Sequence, residues 1–312
     1  MPKLSVIIPI YNRTELFKRG LDSIFRQTMP KGDFEILIID NRSTEDIKKV
    51  FEPYIGKMNI RHIKIDPSQH PIYKEMSADE EYKKKFNIKE NWYHTPAIAI
   101  NIGIKQARGE IICITQPEVI HAPVNFIHGY NLSKAEYSTV FGEIVLATDR
   151  FNQYLQDTPN WGIKNYPELW QIARDHGKEY EFFEGEYYWY IMFLPKQAAM
   201  DIGGVDEEYC RGVYGEDDNF RVRARMAVRN ETYRGESHCL HGDSCIRGIH
   251  QSHRDEAGKI ENQNRESRHW EIGADTNRKR VEEFYRNPQK LANQGRDWGD
   301  EKLITEIKDY LC

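Results

Sequence analysis

Three short apolar runs within the first 65 residues constrain the fold more than any other feature of the chain. Leu4-Ser-Val-Ile-Ile-Pro9, Phe34-Glu-Ile-Leu-Ile-Ile39 and Ile60-Arg-His-Ile-Lys-Ile65 are rich in β-branched residues and bounded by turn formers, and each reads as a strand. Between the first two, Thr14 is placed to cap a helix whose apolar positions Leu16, Leu21, Ile24 and Phe25 share one face. A fourth run, Ile111 to Ile114, follows a helix expected over Ala97 to Arg108, opened by Pro96 and closed by a left-handed Gly109. Strands alternating with helices at this spacing predict a parallel sheet built from βαβ crossovers. The third strand is the most polar and is expected nearer an edge.

With 312 residues the chain has room for one large α/β domain or two smaller ones. A net charge of −5 with 30% charged residues leaves no basic excess, which argues against nucleic acid as the main partner. The N-terminal apolar run is about six residues long and no window reaches ~18, so neither a signal core nor a membrane span is expected and a cytoplasmic protein is the reading. Five cysteines, at 113, 210, 239, 245 and 312, are an odd, scattered set and are expected reduced. The segment from His238 to Cys245 carries zinc-ligand residue types, but it has no CxxC pair and no common structural spacing, and reads as a loop.

Polar groups collect where the strands end. The second strand stops at Asp40-Asn41 and the fourth at Gln116-Pro117-Glu118, the place where open α/β sheets bind ligands. The chain contains neither GxGxxG after a strand nor GxxxxGK[ST], so a phosphate would have to be held otherwise, and a metal ion is the obvious substitute. Residues 66–94 read as a long functional loop or a partly helical insertion. The aromatic run from Phe182 to Leu194 reads either as core or as a platform for a sugar face, with Tyr188 and Trp189 the candidate rings. A short helix after Pro195 is expected to end at Gly203-Gly204. Gly215-Glu-Asp-Asp places three carboxylates before an Arg-rich helix, either a dipole-stabilised helix start or a site.

Five ordered blocks, "LSVIIPIYNR", "EILIIDNRSTED", "AIAINIGIKQARGEIICIT", "DIGGVDEEY" and "GEDDNFRVR", resemble the family 2 glycosyltransferases in order and approximate spacing. The resemblance implies the GT-A (Rossmann-like) nucleotide-diphospho-sugar transferase fold, a mostly parallel central sheet with helices on both faces. It places a catalytic domain at 1–255, with a nucleotide-sugar half at 1–120 and an acceptor half at 121–255. Residues 256–312 are expected as a helical C-terminal extension packed on it, with amphipathic segments such as Lys302 to Leu311.

By the same resemblance, Pro9, Tyr11 and Arg13 belong to the segment that wraps the donor nucleoside, and Asp40 stands where an acidic residue hydrogen-bonds the base. Asn101 lies at the element near the donor phosphates. The family's arginine there is Ile100 in this chain, with Lys105 one helical turn on as a partial replacement. Gln116-Pro-Glu118 occupies the place of Asp-x-Asp: Gln116 offers hydrogen bonds to donor hydroxyls without charge, while Glu118 keeps the oxygen ligand that Mn²⁺ or Mg²⁺ needs. His250, with His253 as the alternative, is the further metal ligand. Asp217 takes the role of general base, with Glu216 on the acceptor.

The implied activity is a metal-dependent, inverting transfer of a sugar from a nucleotide donor, a UDP-sugar by resemblance, to a saccharide hydroxyl. Peripheral membrane association is left open, because many relatives use lipid-linked acceptors. Two other classes compete. A non-catalytic sugar-nucleotide or glycan-binding protein would suit the altered Asp-x-Asp, but it would have no need of the Glu216-Asp217 pair. A nucleotidyltransferase would bring a Gly-rich loop after the first strand, and Pro9 to Arg13 contains no glycine.

Overall fold

Near-continuous burial along the β-branched runs puts apolar side chains on both faces of the early strands, so the sheet they form must be covered twice. The computed structural model describes residues 1–80, 96–158, 166–178, 190–212, 215–234, 246–251, 267–294 and 296–312. Its elements run β1 (Leu4–Ile10), α1 (Thr14–Phe25), β2 (Phe34–Asp40), α2 (Ile47–Phe51), β3 (Asn59–Ile65), α3 (Pro71–Ala78), α4 (Ala97–Gln106), β4 (Ile111–Thr115) and β5 (Val119–His121). They continue as α5 (Asn125–Glu136), β6 (Ser138–Ala147), α6 (Asp149–Asp157), α7 (Tyr166–His176), β7 (Gly177–Lys178), β8 (Ile191–Pro195) and α8 (Lys196–Asp201). The last are α9 (Glu216–Ala227), β9 (Asn230–Arg234), β10 (Arg247–His250), α10 (Ser267–Arg286) and β11 (Ile304–Tyr310).

The sheet order is β11-β3-β2-β1-β4-β8-β6-β10-β5, with β7 and β9 also paired to β6. β3, β2, β1 and β4 are parallel, with Leu4 opposite both Phe34 and Ile111, so their carboxyl ends share one edge. Val6 and Ile8 face Phe17, Leu21 and Ile24 of α1 and Phe51 of α2. Ile7 faces Ile98, Ile100 and Ile102 of α4. The α/β architecture with helices on both faces is therefore the one the strand spacing predicts.

Four local expectations change. The α1 N-cap is Arg13 in the left-handed region (φ 66°), without a side-chain cap, while the Thr14 hydroxyl donates to Glu45 Oε2 at 2.7 Å. α4 ends at Gln106, and Gly109 is not a left-handed cap. An added Cβ at Gly109 would lie 2.7 Å from Ser5 N, so this glycine lets the chain pass close to β1. β3 is not an edge, because its open side is taken by β11, which runs antiparallel to it. β11 lies within the Lys302 to Leu311 segment expected to be helical; the free edge of β3 supplies backbone partners that a short helix of that composition would lack. β11 also explains how a polar β3 is buried: Arg61 Nε reaches Asp309 at 3.0 Å and Arg61 Nη1 donates to the Gln106 carbonyl at 2.5 Å. The rest of the extension includes α10, and α8 ends before left-handed Gly203 and Gly204 as expected. Part of the 66–94 insertion is helical, as α3.

No helix among the described residues is long and apolar enough to cross a membrane. Cys113 and Cys210 are free and buried, and Cys312 is free and exposed.

One buried group makes stability depend on acid. His121 is buried beside Thr115 Oγ1 (3.1 Å from Nε2), and burial lowers its pKa to about 3. The unfolded chain binds a proton near pH 6.5 that the folded protein refuses until about 3. This contribution is thus full above about pH 6.5 and lost as pH falls, at about 1.4 kcal/mol per pH unit. Urea unfolding at pH 7 and pH 5 checks it: His121→Gln is expected to lose that slope, and an unchanged slope would refute the assignment.

Candidate functional site

The edge that carries the carboxyl ends of β1, β2 and β4 gathers Arg13, Asp40, Gln116, Glu118 and His250 from among the residues singled out from the sequence. After β1, Asn12 and Arg13 are both left-handed (φ 56° and 66°), a conformation that costs a non-glycine residue on the order of 1 kcal/mol. The neighbouring loop offsets it: Asn12 Oδ1 accepts from the backbone N–H groups of Thr44 (2.8 Å) and Glu45 (3.1 Å), and Asn12 N donates to Ser43 Oγ (2.9 Å). The loops after β1 and β2 are therefore one unit. Pro9 pairs with Ile39 inside the sheet, and Tyr11 follows β1, exposed at the loop.

Asp40 ends β2 with its carboxylate engaged, Oδ1 by Ser43 N (2.9 Å) and Oδ2 by His62 Nε2 (3.2 Å). It lines a cavity of about 540 Å³ together with Arg42, Ser43, Lys48, His62 and Tyr310. That wall includes β11, which sequence reasoning did not connect with the β2 end.

The Gln116-Pro-Glu118 turn joins β4 to β5, closed by Val119 N donating to the Gln116 carbonyl. α1 lies directly against it. An added Cβ on Gly20 would fall on the Pro117 carbonyl oxygen, so only glycine allows this approach. Glu118 is 1% exposed, and Arg13 Nη1 lies 2.6 Å from its Oε1. His250 Nε2 lies 3.4 Å from the same oxygen, because β10 pairs His250 with Val119. The His250 ring meets the Tyr190 ring edge-on at 4.6 Å between centroids. Gln251, missed in the sequence, fixes this junction: its amide donates to the carbonyls of Leu16 and Glu118, both at 3.0 Å, and its Oε1 accepts from Arg19. A glutamine after a histidine carries no signal that would have found it.

The acidic motif opens α9. Gly215 is left-handed (φ 86°), and Val281 of α10 occupies the space a side chain there would need. The Asp217 carboxyl is pushed well above the usual carboxylate range, first by burial and then by Glu216 and Asp218, against a hydrogen bond from Asp218 N. A helix N-terminus would by itself favour the anion; here desolvation and like charge win.

Two predicted donor contacts lie elsewhere. Asn101 belongs to α4, on the face of the sheet opposite α1. Its Oδ1 accepts from Val205 N (2.7 Å), and its Nδ2 donates to Val205 O (2.9 Å) and Glu207 Oε1 (2.8 Å). Lys105 Nζ reaches Asp297 (3.2 Å) and stands over the Trp298 ring. Asn101 is thus tied to the loop after α8 and Lys105 to the C-terminal segment. His253, Tyr188, Trp189 and the His238 to Cys245 segment lie outside the described residues.

These features define an α/β protein with a cavity and a charged cluster at the carboxyl ends of its parallel strands, and comparison with known proteins gives its family. Residues 5–182, more than half the chain, match glycosyl transferase family 2, and the chain belongs to that family. It is 27% identical to the poly(ribitol-phosphate) beta-glucosyltransferase of Bacillus spizizenii over 143 residues, 44% of this chain and 18% of that protein. It is 33% identical to glycosyltransferase AglE of Haloferax volcanii over 73 residues, 23% of this chain and 24% of that one. The chain thus spans less than a quarter of these relatives. The structure of Staphylococcus aureus TarS 1–349 in complex with UDP aligns with a TM-score of 0.51 at 15% identity, over 79% of this chain and 60% of that one. At that identity the likeness establishes the GT-A-like fold.

Proposed function

We propose that this chain transfers a glycosyl group, with inversion, from a UDP-sugar to a saccharide hydroxyl. The observation that carries this reading is the convergence at one sheet edge of the Asp40 cavity, the left-handed Asn12-Arg13 turn and the Arg13–Glu118–His250 cluster. The cavity takes the nucleoside, and the cluster faces the diphosphate. Asp217 accepts the proton of the attacking hydroxyl, and its raised pKa makes it a stronger base once ionised. Glu216 beside it orients the acceptor. The named activities of the curated relatives support a sugar donor.

The donor set fits a divalent ion. Glu118 Oε1 and His250 Nε2 are 3.4 Å apart, close enough for both to reach one ion. Among the described residues no group of three His, Cys, Asp or Glu side chains joins them, so a bound diphosphate would supply the other ligands. When present, Mn²⁺ or Mg²⁺ supplies Lewis-acid stabilisation of the departing nucleoside diphosphate.

A panel of nucleotide sugars, screened by thermal shift and by donor turnover with and without Mn²⁺, tests the proposal. Stabilisation and turnover with a UDP-sugar are expected, and the absence of any bound or consumed donor would refute it. Glu118→Ala is expected to lower Mn²⁺-dependent turnover on the order of 10- to 100-fold, while Gln116→Asp preserves or raises it. Unchanged turnover in Glu118→Ala would remove the role given to that carboxylate.

A further inference from the structure

Arg13 holds the very oxygen that a divalent ion would need. Its guanidinium Nη1 is 2.6 Å from Glu118 Oε1, closer than His250 Nε2 at 3.4 Å, and the Glu118 side chain is only 2% exposed while that of Arg13 is 19% exposed. The backbone of Arg13 is fixed at the α1 N-cap, where its carbonyl accepts the first helical hydrogen bond from Phe17 N (2.9 Å). Its side chain is the long, partly exposed member of the pair. Gln116 adds no charge to the turn, so Glu118 and Arg13 neutralise one another.

We propose that Arg13 is a resident cation that competes with the divalent ion for Glu118 and yields to it only when a nucleotide diphosphate arrives. The inference rests on the reading of Glu118 as the metal carboxylate. Charge balance supports it. The charges of Arg13 and Glu118 offset one another, and a doubly charged cation arriving with the two negative charges of a sugar-nucleotide diphosphate adds no net charge. Adding the ion alone brings two positive charges beside the half-buried Arg13 guanidinium, which like-charge repulsion and the desolvation of an ion at buried Glu118 oppose. With diphosphate present, the guanidinium has a bidentate anionic partner to turn to, the geometry for which arginine is suited. The ion and the nucleotide therefore bind cooperatively, by a coupling built into one side chain.

The test is Mn²⁺ binding, read by the electron paramagnetic resonance of free Mn²⁺, in the 312-residue chain with and without UDP. Wild type is expected to bind Mn²⁺ alone at least tenfold more weakly than with saturating UDP. Arg13→Gln is expected to bind Mn²⁺ alone at least tenfold more tightly than wild type and to show a smaller UDP effect. Arg13→Lys, which keeps the charge, stays as weak as wild type. Unchanged or weaker Mn²⁺ binding in Arg13→Gln, with circular dichroism showing a folded chain, overturns the competition alone. If wild type binds no Mn²⁺ even with UDP, the metal reading fails and this inference with it, whereas UDP binding by thermal shift reports separately on the donor site.

Discussion

Asp217→Asn is expected to lower glycosyl transfer by about 10²- to 10⁴-fold, the usual worth of a general base, and at the same time to raise the unfolding temperature. Both effects follow from where the carboxyl sits. It is half-buried at the start of α9, flanked on its own helix by Glu216 and Asp218 and faced by Tyr285 of α10, whose pKa is itself raised by burial and by Asp218. A carboxyl whose folded pKa lies above its unfolded one stabilises the fold only at low pH. That contribution is present below the unfolded value and lost as pH rises through the folded one. At neutral pH the ionised group opposes folding, so a neutral amide relieves the fold while removing the base, the exchange of stability for activity expected at a functional site. The acid limb of kcat/KM is expected above the ordinary carboxylate range, and Asp218→Asn, which deletes a like charge, moves it downward. Thermal unfolding at pH 8 and a pH-rate profile check this. A lowered unfolding temperature with unchanged turnover would sink the role.

What could be read from the sequence was whatever local pattern encodes. The runs at Leu4, Phe34 and Ile111 become strands because β-branched residues suit a doubly covered sheet, and Gly203-Gly204 ends α8 because both are left-handed. The Gln116-Pro-Glu118 turn reaches the strand-end edge because it follows a strand parallel to β1. What was missed depends on pairings across the chain. Arg13 and Glu118 are 105 residues apart, and nothing periodic marks them as partners. Lys302 to Leu311 has no strong strand signature, and its conformation is chosen by the vacant edge of β3. Asn101 matched a family element, yet its amide is bonded to the Val205 peptide and Glu207, contacts that form only when the loop after α8 folds over α4.

The three acids Asp206-Glu207-Glu208 show the same limit in one turn, and they support the second large effect. Sequence alone makes Glu207 and Glu208 equivalent, but the fold buries one and leaves the other near solvent. Glu207 is 1% exposed. Its Oε1 accepts from Asn101 Nδ2 and Gly299 N, both at 2.8 Å, and its Oε2 lies 3.0 Å from His70 Nε2. It thus joins the start of α3, the middle of α4 and the C-terminal segment. Glu208, by contrast, pairs with Arg211, Arg280 and Arg296 around the outside. Glu207→Ala is expected to cost about 3–5 kcal/mol, because three buried donors lose their acceptor together. That is a large share of the ~5–15 kcal/mol by which a typical domain is stable. Glu207→Gln costs less, since one oxygen remains for Asn101 and Gly299, and Glu208→Ala costs under about 1 kcal/mol, as surface pairs do. Urea midpoints at constant m-value measure all three. Equal losses in Glu207→Ala and Glu208→Ala would show that the buried network does not hold the C-terminal segment to α4.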